Sequence, residues 1–390
     1  MGWTEEAREK NKKQRRFAAS HLGSSTRSRK PVRRFESYSF SSLLNWGEFR
    51  ANVRDAYVNG LNVVNMFDGL SIMLFVLLIL LRIPVKKYIA VECDKQAISW
   101  AAANLLRAIE GSGVEIIRID DASYGTCRQR VLDALGGAPC HIFGDGSPCN
   151  DCAGYRRQRV NFETLLKQPN GKLFFDSSWL LNALQDNQTV KIIFIKEYCY
   201  SAPPETRADM TNTLGISPIL IDSVLFHPVR RPRYIWTNLP RIPLPPGAED
   251  DPDAAELFVC EPSLDGFLLG SASLADQDRT VNTLTKSIKE EAGHTVLLMP
   301  GSAERRPLGL REVLRAHGLP AWWAENSSFS TSTQARARLG EIWSPGPFEF
   351  LLLDFRREWE EELRKDASPG PWQRLHSESA AASWSADPAV

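Results

Sequence analysis

The stretch Gly146-Ser147-Pro148-Cys149-Asn150-Asp151 follows directly on an apolar run of strand length, Cys140–Phe143. A strand that ends in Gly, Ser and Pro turns tightly and projects the next side chain out of the sheet. That side chain is Cys149, so the position is one a nucleophilic thiolate would occupy. On its own the pattern is weak, because a cysteine is more often a small buried hydrophobe. Cys149 and Cys152 also make a C-x-x-C pair, which suits redox chemistry or half of a metal site. The only nearby second ligand pair is Cys140-His141, poorly spaced for zinc, and the pair opens no thioredoxin-like helix. The expectation is a site without metal.

The elements that would position Cys149 alternate in type. Strand-like runs are expected at Leu61–Met66, Tyr88–Glu92, Ile116–Asp120, Cys140–Phe143, Val190–Ile195, Ile219–Ile221 and Tyr234–Thr237. Helical stretches at Ser71–Leu81, Lys95–Ile109, Arg128–Leu135 and Gly171–Gln185 separate the first five. Near-continuous apolar strands joined by crossover helices specify an α/β, mostly parallel, doubly wound sheet covered on both faces. Such sheets bind ligands beyond the carboxyl ends of their strands. Phe67-Asp68-Gly69, Glu92, Asp120-Asp121, Cys149 and Glu197 all fall at that edge. A carboxylate after the second strand is the usual grip on the ribose of a nucleoside cofactor.

Composition narrows the classes. The chain has 390 residues, 43% of them hydrophobic, and 47 basic against 47 acidic side chains, so it can bury a full core and carries no global field for a polyanion. The charge is uneven, with eleven Lys or Arg against three Glu between Met1 and Arg34. Residues 1–57 read as a basic, largely disordered arm, suited to phosphate contact or nuclear import, and 366–390 as a Pro/Ser-rich disordered tail. Seven scattered cysteines with no signal peptide indicate a reducing, intracellular setting. The longest apolar run, Leu70–Leu81, is shorter than the ~20 residues of a membrane helix, so no membrane is expected. After Pro240 the composition turns Pro-rich and acidic, and 241–278 reads as a short insertion within a domain spanning 58–365.

These residues, taken in order over roughly Leu61–Glu362, resemble the DNA (cytosine-5) methyltransferases, most of all the catalytic domain of the de novo (type 3) branch. Phe67-Asp68-Gly69 resembles the cofactor loop, Tyr88–Glu92 the second-strand motif, Gly146–Asp151 the nucleophile loop and Gly171–Phe175 the helix behind it. Arg231-Pro232-Arg233-Tyr234 with Trp236–Pro240, Arg279–Lys289, and Leu339-Gly340 with Trp343-Ser344 resemble the later motifs. The resemblance implies a Rossmann-like S-adenosylmethionine-dependent methyltransferase fold, with 241–278 as target-recognition insertion. It implies methyl transfer from S-adenosyl-L-methionine to C5 of cytosine on a flipped base, through a covalent bond from Cys149 to C6. In that scheme Glu197 acts at N3, and Arg231 and Arg233 position the base. Phe67, Asp68, Gly69, Glu92, Asp121, Leu173 and Trp343 would contact the cofactor. Double-stranded DNA is the implied partner, the nucleus the implied location, and a homo- or hetero-oligomer with a related methyltransferase a further implied assembly.

Three departures stand out. Met73 replaces the family's second loop glycine, Tyr198 replaces an amide expected to support the nucleophile loop, and Glu341-Ile342 precedes Trp343 where a basic residue is usual. They motivate a second reading, a catalytically impaired paralogue that binds DNA or regulates an active enzyme. A third reading, an RNA cytosine-5 methyltransferase, is disfavoured by the Arg-x-Arg-Tyr and last motifs.

Overall fold

A computed structural model describes residues 59–106, 109, 112–149, 169–227, 229–239, 273–274, 281–282, 296–298, 305–307, 309–325, 332–339 and 342–365. The expected N-terminal arm, the C-terminal tail, Cys152 and nearly all of 241–278 lie outside these residues.

Seven strands form the central sheet: β1 (Leu61–Met66), β2 (Val85–Val91), β3 (Glu115–Ile119), β4 (Ile142–Gly146), β5 (Ile193–Cys199), β6 (Ile219–Asp222) and β8 (Pro232–Thr237). Their order is β3-β2-β1-β4-β5-β8-β6. The first five are parallel, and β8 runs antiparallel to both β5 and β6. The strand order reverses between β1 and β4, which places the switch point of the sheet at the exits of Met66 and Gly146.

Helices cover both faces, as the apolar strands require: every residue of β1 and β5 is buried. One layer holds α1 (Ile72–Phe75), α2 (Lys95–Ala101) and the C-terminal helices α6 (Leu310–Ala316), α7 (Ser332–Leu339) and α8 (Pro345–Lys365), whose apolar residues form one core with Ile142, Ile193 and Ile195. The other holds α3 (Tyr124–Leu135), α4 (Pro169–Asp186) and α5 (Pro204–Leu214), packed on Val64, Phe143 and Phe194. Trp323 ties the C-terminal layer to the N-terminal helices: its carbonyl accepts from Trp100 Nε1 at 2.9 Å and its ring meets Phe75 edge-on at 5.7 Å.

The expected alternation is present, with corrections of extent. The Leu70–Leu81 run is a buried helix, but only Ile72–Phe75 is α-helical, and Val76–Leu80 widens to a π-helical turn. The helix expected over Lys95–Ile109 is α-helical to Ala101 and π-helical over Ala102–Leu106. The fifth strand runs four residues past Ile195, so Glu197 lies inside β5 and not after it. Helix α5, with Pro204 in its first turn, was not expected from periodicity, because its buried residues Thr206, Met210 and Leu214 are too few and too mixed. Beyond the sheet, β7 (Val229–Arg230) pairs with β10 (Val281–Asn282), and β9 (Ser273–Leu274), β11 (Val296–Leu298) and β12 (Arg305–Pro307) form a small antiparallel sheet.

Among the described residues no helix is long and apolar enough to cross a membrane.

Candidate active site

The candidate site residues are assembled by strand register. Gly146 pairs with Glu197 across the parallel β4–β5 ladder, and Cys199 pairs with Arg233 across the antiparallel β5–β8 ladder. Residues directly opposite in a ladder share a face, and residues two apart in one strand do too. Glu197, Cys199 and Arg233 therefore point to the same side, and Cys149 follows Gly146 by three residues onto that edge. Arg233 Nε forms an ion pair with Glu197 Oε1, with 16% and 10% of the two side chains exposed. Such a charge-assisted contact fixes the orientation of the carboxyl.

Cys149 is half-buried, and its thiol is pulled down from the usual range to about 7. The largest cause is a hydrogen bond from the Cys199 thiol, opposed by burial and aided by the Arg233 and, more weakly, Arg231 charges; Glu197 acts the other way. Cys199 is raised well above its ordinary value, first by donating to Cys149 and then by burial. A thiol near 7 carries a large thiolate fraction at neutral pH, which is the form that attacks carbon. Arg231 itself is buried, and its backbone N–H donates to Asp222 Oδ1 at 2.5 Å.

The opposite face of the same strands carries a buried charged network. Asp145 and Lys196 are register partners on β4 and β5, are both 0% exposed, and form an ion pair. Ser147 Oγ donates to Asp145 Oδ1 at 2.5 Å, Ser177 on α4 donates to Asp145 Oδ2, and Lys196 Nζ donates to Ser177 Oγ at 2.6 Å and to the Phe174 carbonyl at 3.2 Å. Lys196 also lies 4.3 Å from the Phe174 ring. Burial pulls the lysine below its usual value, and the Asp145 charge opposes that. Because Ser147 is two residues before Cys149, this network anchors the nucleophile loop from beneath. Sequence reasoning missed Asp145, Lys196, Ser177 and Cys199; the available signal was an Asp and a Lys inside otherwise apolar strands.

The expected cofactor contacts separate into groups. Phe67, Asp68 and Gly69 form the turn after β1, with Phe67, Gly69 and Ser71 all at positive φ (56°, 55° and 58°). Non-glycine residues there need external fixing, and Asp68 supplies it. Its carboxylate accepts from Asn65 Nδ2 at 2.6 Å, Ser71 Oγ at 2.5 Å and the Tyr88 hydroxyl, all in the interior. Burial holds its pKa up. Asp68 thus shapes the loop from within. Glu92 accepts from Gly69 N–H and Asp94 N–H, both at 2.8 Å, and remains partly exposed at the end of β2. Asp121 accepts from Ser123 N–H at 2.8 Å in the turn that starts α3, which holds its carboxyl below the usual range. Leu173 is half-buried on α4, in the opposite layer, and is not gathered with the others.

Trp343 lies against the exit of β4. Its Nε1 is 1.8 Å from where a Cβ on Gly146 would sit, and its Cη2 is 3.1 Å from the same point on Gly144, so both positions must lack a side chain. The indole stacks on Phe348 at 3.9 Å, and among the described residues its buried N–H has no acceptor. Met73 is fully buried with its methyl 3.1 Å from the Gly144 Cβ position, so it fills core space beside Trp343. Tyr198 faces the opposite layer, edge-on to Phe174 at 5.6 Å. It is a packing residue there.

The molecule is thus a seven-strand, mostly parallel α/β sheet with a thiol just past the exit of its fourth strand and a carboxyl within the last residues of its fifth. The chain is similar to solved methyltransferase structures. A methyltransferase of Entamoeba histolytica, EhMeth, superimposes with a TM-score of 0.52 at 15% identity, over 76% of this chain and 98% of that one. The Dnmt2 methyltransferase of S. pombe covers 76% of this chain and 99% of its own, at 14% identity and a TM-score of 0.44. No protein-family model matches the chain. The first likeness establishes the fold as the Rossmann-like fold of S-adenosylmethionine-dependent methyltransferases.

Proposed function

We propose that this chain is a methyltransferase acting on C5 of cytosine in duplex DNA, of the de novo (type 3) kind. The observation that carries the reading is the convergence of Cys149, Glu197 and Arg233 at one edge, with the thiol lowered to about 7. The residues present fit S-adenosyl-L-methionine. Glu92 retains accepting capacity at the position suited to a ribose diol, Phe67 and Gly69 form its loop, and the unpaired Trp343 N–H offers a donor for an amino-acid carboxylate. When bound, that cofactor supplies an electrophilic methyl group.

The chain's own side chains do the rest. The Cys149 thiolate adds to C6 of an extruded cytosine, forming an S–C6 bond and moving the C5–C6 π pair toward C5. Glu197 delivers a proton to N3 as density builds on the ring, and Arg233, paired with the same carboxyl, stabilises the charge left there. After methylation the C5 proton leaves to water, and its bonding pair re-forms the C5–C6 double bond as the S–C6 bond breaks. Cys149 departs as thiolate, and the N3 proton returns to Glu197. The Asp145–Lys196 network holds the loop from which the sulfur attacks.

The test is trapping on duplex DNA containing 5-fluorocytosine, where fluorine blocks the final elimination. A cofactor-dependent covalent adduct formed by the parent chain and absent from Cys149→Ala is expected. Absence of adduct across several sequence contexts, with folded protein, would favour a non-catalytic DNA-binding or regulatory partner, and an adduct only on transfer RNA would move the substrate class. The sequence departures at Met73 and Tyr198 weigh little against activity, since both side chains pack in the core. Nuclear residence is part of the proposal, and a tagged chain retained outside the nucleus, unaffected by deletion of residues 1–34, would oppose it.

A further inference from the structure

Cys199 is a thiol that the proposed reaction does not use. It is buried, belongs to the core cluster against which Cys149 packs, and hydrogen-bonds the Cys149 sulfur. The contact joins two different strand ends, β4 through its exit loop and β5 at its last residue, and not the C-x-x-C neighbours that sequence spacing pairs. We propose that Cys149 and Cys199 form a reversible dithiol–disulfide pair, closed by hydrogen peroxide, that switches the nucleophile off.

The chemistry balances in two steps. The Cys149 thiolate attacks one peroxide oxygen, the O–O bond breaks, and the departing hydroxide is protonated to water, leaving Cys149 as sulfenic acid. The Cys199 sulfur then attacks the Cys149 sulfur, the S–S bond forms as the S–O bond breaks, and the Cys199 proton leaves with the oxygen as a second water. Two thiols and one hydrogen peroxide give one disulfide and two waters.

Each role matches its setting. Cys149 is the half-exposed member, with Arg233 beside it, so a small oxidant meets the more ionised sulfur first. Cys199 is the buried resolving member. Ser201 Oγ donates to its sulfur at 3.3 Å, and because the hydrogen bond to Cys149 and burial hold the thiol up, Cys199 attacks as it gives its proton to the departing oxygen. A disulfide needs the sulfurs at about 2.0 Å, and Cys149 sits on a loop rather than within the ladder, so that approach leaves the β5–β8 pairing in place. The link would occupy the sulfur that must reach C6; this consequence for methyl transfer rests on the proposed function, whereas the disulfide itself does not.

The experiment is titration of the full-length chain with hydrogen peroxide, followed by non-reducing peptide mass mapping and iodoacetamide labelling of Cys149. The expected result is a Cys149–Cys199 cross-linked peptide, 2 Da below the sum of its thiols, with labelling of Cys149 restored by dithiothreitol. In Cys199→Ser the sulfenic acid should instead be captured by dimedone or pass to sulfinic acid, with labelling no longer fully recovered. A Cys149–Cys152 link, or equal recovery of Cys149 in the parent and in Cys199→Ser, overturns the inference. These readouts need no DNA and no cofactor, so their failure is separable from failure of the methyltransferase reading.

Discussion

Alternate residues of β4 and β5 serve two different tasks. On one face, register aligns Gly146, Glu197 and Cys199 and brings a carboxyl and a thiol up to Cys149 and Arg233. On the other, Asp145, Lys196 and Tyr198 are wholly enclosed and hold the same strands against α4. Both faces carry charge, yet their energetics differ. The Glu197–Arg233 pair retains some exposure, so its charges are partly solvated. The Asp145–Lys196 pair has no access to water, and its desolvation is offset only while both partners and the Ser147, Ser177 and Phe174 contacts persist. A pleated strand can combine the two because its side chains alternate strictly.

Four measurements can break or sharpen this division. On the reacting face, Glu197→Gln keeps a hydrogen-bond acceptor for Arg233 but loses the acid, so methyl transfer should fall on the order of 10²–10⁴-fold. Its thermal midpoint should stay within about 4 °C of the parent, and a large loss of stability with activity retained would abolish the distinction. On the enclosed face, Lys196→Met leaves Asp145 buried and unpaired, for an expected loss of about 3–5 kcal/mol in urea unfolding. The double variant Asp145→Asn, Lys196→Met should recover most of that loss; additive losses would show that the pair is not coupled.

A third test extends to the helices on the reacting side. His227 accepts from Gly346 N–H at 3.0 Å and is lowered to about 4 by burial, and His317, bonded to the Val313 carbonyl at 2.9 Å, is lowered to about 3, also chiefly by burial. Depressed histidines bind fewer protons folded than unfolded. Their contribution is therefore complete above the unfolded value near 6.5 and is lost as pH falls from there toward 4, at up to about 1.4 kcal/mol per pH unit for each. Buried Asp68 and Glu92, raised by desolvation, act in the opposite sense at the acid end, so the informative quantity is a difference. His317→Gln should flatten the decline between pH 6.5 and 5 relative to the parent; an unchanged slope would show that His317 does not titrate there.

The smallest effect is expected at Arg338, whose guanidinium pairs with Asp94 while Asp94 also caps α2 through Gln96 N–H at 2.9 Å. Arg338→Ala should cost less than about 1 kcal/mol. A greater loss would show that α7 depends on this contact to stay on the reacting layer.

The β-α-β alternation, the parallel sheet and the exits of β1, β2, β3 and β4 were legible because each depends on local periodicity and on turn residues adjacent in sequence, as at Gly146–Cys149. Cys149 was legible as a candidate for the same reason, whereas Glu197, flanked by Lys196 and Tyr198, was singled out by the order of family-like motifs and not by its local pattern. Helix α5 was not, since its few buried residues make no clear stripe, and neither were the roles of Met73 and Tyr198, which a sequence gap or substitution cannot distinguish from a site defect. Asp68 illustrates the limit: its place in the loop was readable, but that its carboxylate serves Asn65, Ser71 and Tyr88 follows only from the approach of β2.

The order of residues along the chain thus determined most of the elements of the sheet and placed Cys149 just beyond the end of β4. Only the tertiary structure decided that β5 continues through Cys199, that β8 returns antiparallel beside it, and that Arg233, Cys199 and Glu197 converge on Cys149 while Asp145 and Lys196 turn inward. Those outcomes depend on pairing register between segments tens of residues apart, where a shift of one residue would exchange the two faces.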